Sequence, residues 1–124
     1  MMIKQLLTPI HEVNWLLAGD TVGDAFDHMQ AYDTTAIPVL DWERRFVGTV
    51  TEADLRRHVG RLGQSAMSSL LSEVERRSHS EPVTLDADVS AIADASTPFV
   101  AVIDDSGKFL GVVERDRLAT SRAA

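Results

Sequence analysis

The sequence predicts an α/β (α+β) fold of two βαββα repeats packed pseudo-symmetrically in one globular module, and three observations carry that prediction. Ile37-Pro38-Val39-Leu40-Asp41 followed by Phe46-Val47-Gly48-Thr49-Val50 returns as Val100-Ala101-Val102-Ile103-Asp104 followed by Phe109-Leu110-Gly111-Val112-Val113, at a constant offset of 63 residues that also carries Leu55 onto Leu118. Ahead of each hairpin, apolar residues recur at helical spacing. The chain has 124 residues, enough for one domain and too few for two independent ones, so the copies must share a core.

Taken in order, residues 1–63 form the first repeat with the lead-in Ile3-Lys4-Gln5-Leu6-Leu7-Thr8-Pro9. Val13 to Leu17 reads as a short strand. Val22, Ala25, Phe26 and Met29 fall at i, i+3, i+4 and i+7, the stripe of an amphipathic helix, and Thr21 with Asp24 makes a capping box at its start. The two hairpin strands are rich in β-branched residues around the turn Trp42-Glu43-Arg44-Arg45, and Leu55, Val59 and Leu62 then share a helix face. Residues 64–120 form a linker helix, patterned by Met67, Leu70, Leu71 and Val74, and a shortened second repeat, with a tail at 121–124. Pro82 to Leu85 is its leading strand, Val89, Ile92 and Ala93 rebuild a helical stripe behind Asp88, and Asp104-Asp105-Ser106-Gly107-Lys108 is its hairpin turn. Thr21 to Phe26 aligns with Asp88 to Ala93 at an offset of 67, so the second copy lacks four residues, about one helical turn. About sixty residues rarely fold alone. The two sheets are therefore expected to pack through their helices.

Composition narrows the function classes. The formal net charge is −7, which works against a nucleic-acid binder because such affinity needs a field of Lys and Arg. Cysteine is absent, which removes disulfides, thiolate nucleophiles and thiolate metal sites. No apolar run approaches the roughly twenty residues that span a bilayer, and no signal-peptide segment opens the chain; no membrane association and a cytoplasmic location are the expectation. His11, His28, His58 and His79 are far apart and lack ligand spacing, so no metal site is expected. There is no G-x-S-x-G elbow, P-loop or G-x-G-x-x-G, and no enzyme activity is expected.

The motifs and their order resemble the tandem cystathionine-β-synthase (CBS) domain pair, or Bateman module. Val39-Leu40-Asp41 behind Pro38, Phe46-Val47-Gly48-Thr49-Val50 and Thr51-Glu52-Ala53-Asp54-Leu55 are similar to that family's successive motifs, and Val102-Ile103-Asp104, Phe109-Leu110-Gly111-Val112-Val113 and Glu114-Arg115-Asp116-Arg117-Leu118 repeat them. The lead-in and its echo Leu71-Ser72-Glu73-Val74 resemble the family's helical approach to each copy. The resemblance implies a non-catalytic regulatory module that binds an adenosine-containing ligand (AMP, ADP or ATP, with no obligatory cofactor) between the repeats. It also implies a homodimer that reports to a separate effector enzyme or transporter. The alternative is a structural dimerisation or adaptor module with no bound nucleotide.

By that resemblance Thr51 and Asp54 hold the phosphate and ribose, while Val13, Leu16, Ile37 and Pro38 wall the adenine. Read only as residues, Thr51 and Asp54 make a helix cap and the apolar four are core. If the carboxylate serves the ligand, Asp54→Ala removes ligand stabilisation while changing ligand-free stability much less. In the second copy Glu114 and Arg117 replace the Thr and Asp, so a second symmetrical nucleotide site is not expected; Arg115 and Arg117 instead bring positive charge toward phosphates near the first. Arg56, Arg57, His58 and Arg61 form the densest basic group, read alternatively as a solvated helix end. Trp42, in a turn, is expected to anchor an interface.

Overall fold

The computed structural model describes residues 2–77, 81–92 and 98–116. Its elements are β1 (Thr8–Pro9), β2 (Leu16–Leu17), α1 (Val22–Tyr32), β3 (Ala36–Leu40), β4 (Phe46–Thr51), α2 (Glu52–Leu62), β5 (Val83–Thr84), β6 (Phe99–Ile103) and β7 (Phe109–Glu114), joined by short 3-10 turns. They form two sheets, β2-β3-β4 and β1-β7-β6-β5. In each, a two-residue strand runs parallel to the first hairpin strand, Leu16 opposite Val39 and Val83 opposite Val102. Both hairpins shift register at equivalent places, Val39/Leu40 and Val102/Ile103. The duplication seen in sequence is thus a duplication of backbone.

Strand alternation decides what each side chain meets. Ile37, Val39 and Val50 turn toward Val22, Ala25, Met29 and Leu55 of the helices. Val100, Val102 and Val113 pack with Val83, Ile3 and Leu6. The opposite faces meet each other: Ala36 and Leu40 pack with Phe99, Ala101, Phe109 and Val112. The repeats therefore join sheet to sheet, and not through their helices as the amphipathic stripes suggest. A helix has one apolar stripe, which its own sheet occupies, whereas these strands are apolar on both sides, and the second side is what remains to be buried.

Near the pseudo-two-fold axis the two hairpin turns hydrogen-bond to each other. The Phe46 N–H donates to the Gly107 carbonyl at 3.1 Å and the Phe109 N–H to the Arg44 carbonyl at 2.8 Å. The Phe46 and Phe109 rings stack with centroids 6.0 Å apart.

The segments preceding each repeat cross over. The lead-in, with a 3-10 turn at Ile3–Gln5, donates from Ile3 N–H to Ala87 O at 2.9 Å, buries Ile3 in the second repeat's core and runs on as β1 against β7. The linker buries Leu71 and Val74 in the first repeat's core. The bridges Met2 with Asp88 and Leu70 with Thr21 are counterparts of one another. The linker is not the expected helix but two 3-10 turns, Gln64–Ser68 and Leu71–Glu73. Its N–H groups are committed elsewhere: Leu71 donates to Asp20 O at 2.8 Å and Ser72 to Ala18 O at 3.1 Å. An α-helix needs those donors for its own i−4 carbonyls.

α1 begins as the capping box predicts, with Thr21 Oγ1 accepting from Asp24 N–H at 3.1 Å and Asp24 Oδ2 from Thr21 N–H at 3.0 Å. In the second repeat the stripe opens as a 3-10 turn, Val89–Ile92, while Ala93 and Leu118 lie outside the described residues.

Candidate functional site

Thr51 ends β4 and caps α2. Its Oγ1 accepts from Asp54 N–H at 3.2 Å, and Asp54 Oδ2 accepts from Thr51 N–H at 3.1 Å. The other carboxylate oxygen accepts from Arg77 N–H at 3.2 Å and from the Arg57 guanidinium. Three of about four acceptor positions on this carboxylate are thus taken, and Asp54 is 1 % exposed. The capping reading is realised in full. Asp54→Ala strips three bonds from a buried site, which predicts a larger loss of ligand-free stability than the sequence suggests.

Between the sheets a separate cleft of about 140 Å³ opens, lined from the first repeat by Glu12, Val13, Asn14, Thr34, Ala36 and Pro38, and from the second by Phe99, Val112 and Glu114. Val13 and Pro38 are brought together there as expected. β2 pairs only with Val39 and Leu40, so that ladder ends before Pro38 and its missing N–H leaves the cleft wall intact. Ile37 and Leu16 are not in the cleft. Both sit in the core under α1 and α2, because side chains alternate across a strand and Ile37 is one residue out of phase with Ala36 and Pro38. Arg115 is exposed, bonds Pro98 O through its N–H at 2.9 Å, and is not among the cleft-lining residues. Arg117 lies outside the described residues.

The cleft carries two carboxylates, Glu12 and Glu114, and no Lys or Arg among its lining residues. Glu114 occupies the position equivalent to Thr51, so the second repeat places a carboxylate where the first has a hydroxyl. Glu12, Asn14, Thr34, Phe99, Val112 and Glu114 were not legible as site residues from composition. The signal that finds them is the alternation itself, applied to both copies at once: 34, 36 and 38 share a face with 99 and with 112 and 114.

His58 departs from its reading as part of a solvated basic helix end. It is 4 % exposed, and neither ring nitrogen has a hydrogen-bond partner among the described residues. It stands one turn past Asp54 on the same helix face. Trp42 is 86 % exposed in the first hairpin turn, while the Arg44 guanidinium lies 5.6 Å from the centre of the half-buried Trp15 ring. Among the described residues no group of three His, Cys, Asp or Glu is placed to hold a metal ion. No helix among them is long and apolar enough to cross a membrane.

Residues 3–61 match the family model described as CBS domain. No curated protein matches the chain. Among solved structures, the CBS domains of a transcriptional regulator from Streptococcus pneumoniae are similar at 26 % identity and a TM-score of 0.78, covering 97 % of this chain and 98 % of that one. CbpB in complex with c-di-AMP is similar at 19 % identity and a TM-score of 0.84, covering 99 % of this chain and 85 % of that one. CBSX2 in complex with AMP is similar at 17 % identity and a TM-score of 0.78, covering 98 % of this chain and 96 % of that one.

Proposed function

Residues 3–61 are a CBS domain and the whole chain is built of two CBS-like repeats, and from that premise we propose that it is a regulatory module holding an adenosine-containing ligand between its repeats and passing occupancy to a partner protein. CBS domains are regulatory rather than catalytic. The observation that carries the reading is the cleft between the sheets, lined by Val13, Pro38, Phe99 and Val112 together with the polar Asn14, Thr34, Glu12 and Glu114, which offers contacts from both repeats. A ligand in it makes different contacts if the sheets shift, and this difference is the only means by which binding can bias their packing. The similar structures that hold c-di-AMP and AMP support the ligand class. A regulated enzyme or transporter as partner and a homodimer anchored in part by Trp42 belong to the same proposal; ribose and phosphate contacts at Thr51 and Asp54, which do not line this cleft, belong instead to a ligand seated at the start of α2.

The second reading, an adaptor with no nucleotide, is favoured by one observation: Thr51 and Asp54 already satisfy each other, Arg57 and Arg77. Thermal-shift titration against AMP, ADP, ATP, S-adenosylmethionine and NAD separates the two. A ligand at a hundred times its Kd adds about 2.7 kcal/mol, which raises Tm by about 10 °C in a domain of this size. If none of the five moves Tm while sedimentation shows a stable dimer, the adaptor reading replaces the regulator.

A further inference from the structure

The cleft between the sheets is rich in hydrogen-bond acceptors and poor in donors. Glu12 of the first repeat and Glu114 of the second both line it, and among the described residues neither carboxylate has an ion pair or a hydrogen bond. No Lys or Arg lines it among those residues. The Thr34 hydroxyl is already committed, donating to the Ala36 carbonyl at 3.0 Å, and Pro38 has no N–H. The Asn14 amide is thus the one uncommitted side-chain donor among the described lining residues. A phosphate entering this space would exchange its water for one neutral donor and two like charges. A group with N–H donors or a positive charge instead finds carboxylates that can accept from it.

We propose, on the reading that this cleft is the adenosine site, that it selects a phosphate-free adenosine, and among such ligands one carrying a positive charge. Val13, Pro38, Phe99 and Val112 supply apolar contact for the base, while Glu12 and Glu114 set the sign of charge that the rest of the ligand can carry. Both glutamates are exposed, so they act through solvent and produce a preference of several-fold rather than an absolute barrier. One carboxylate comes from each repeat, so a cationic ligand is attracted to both halves at once and an anionic one is repelled by both.

The test compares 5′-amino-5′-deoxyadenosine, adenosine and AMP, which differ at a single position that is cationic, neutral or anionic at neutral pH. Binding to the full chain at low ionic strength is followed by carbon-13 NMR of the Val13 and Val112 methyl groups, assigned with Val13→Ile and Val112→Ile. The amine should bind at least about fivefold more tightly than adenosine, and adenosine at least about fivefold more tightly than AMP, the size expected of two exposed carboxylates. Glu12→Gln combined with Glu114→Gln removes both charges at exposed positions and should bring the three ligands within about twofold of one another. The selectivity is overturned, with the adenosine site left standing, if AMP binds as tightly as adenosine, if the amine binds no better than adenosine, or if the double variant keeps the wild-type ratios. If none of the three moves the Val13 or Val112 signals, the cleft is not the adenosine site and the selectivity falls with it.

Discussion

Thr-x-x-Asp occurs twice at helix starts in this chain, and the same four-residue pattern does two different amounts of structural work. At Thr21 and Asp24 the box is largely exposed and serves α1 alone. At Thr51 and Asp54 it is closed over by Arg57 and by the Arg77 backbone. Asp24→Ala should therefore cost about 1 kcal/mol, as a lost cap does, whereas Asp54→Ala should cost about 3 kcal/mol or more because it leaves buried donors and a guanidinium unpaired; urea denaturation of both variants compares them directly. The reverse order would mean that the closure around Asp54 is not maintained in solution. Acid separates the pair from its surroundings too. The Thr21 N–H and then its hydroxyl hold the Asp24 carboxyl below the ordinary aspartate value of 3.8. A lowered native value means that this stabilisation is complete above the ordinary value and disappears as pH falls through the lowered one, so Asp24→Asn should flatten the acid limb below about pH 4.

At the scale of elements, the crossing of the lead-in explains a glycine that appears in both copies. Gly111 has φ of +150°, and a Cβ there would collide with the Thr8 carbonyl of β1. Gly48, its counterpart, would meet the side chain of Arg76 at 2.7 Å, a flexible group that can move aside. Gly111→Ala should therefore destabilise by about 3 kcal/mol through backbone clash and strain. Gly48→Ala should change stability by less than about 1 kcal/mol, and hydrogen exchange should show Val112 losing protection only in the first variant. Equal effects at the two sites would mean that β1 does not lie on β7. The repetition of this glycine was visible at once in the sequence. Its reason was not, because the strand that forbids a side chain comes from a segment more than a hundred residues earlier.

Across the whole molecule, neither repeat owns a complete core. Ile3 and Leu6 close the second repeat and Leu71 and Val74 close the first, while Phe46 and Phe109 stack across the joint. Segments exchanged in this way couple the halves, so unfolding should be a single transition. Far-ultraviolet circular dichroism and tryptophan fluorescence, the latter reporting on Trp15 at the joint and on the exposed Trp42, should give coincident urea midpoints. Two separated transitions would contradict the interlocked architecture. The same coupling is what a ligand between the sheets needs, since a change in sheet packing cannot be confined to one repeat.

The duplication, the order of strands and helices in the first repeat, both hairpins and the cap of each long helix were determined by the sequence alone, because periodicity, turn chemistry and capping are set by neighbours a few residues apart. Tertiary structure alone decided which face of each sheet meets the other, that the lead-in and linker trade partners, that Ile37 and Leu16 serve the core while Ala36 and Pro38 face the cleft, and that His58 is buried. Those outcomes depend on competition for burial between segments distant in the chain. A strand apolar on both faces, or an amphipathic stretch able to curl either as a helix or as a strap, satisfies every local rule in more than one arrangement, and only the assembled core selects among them.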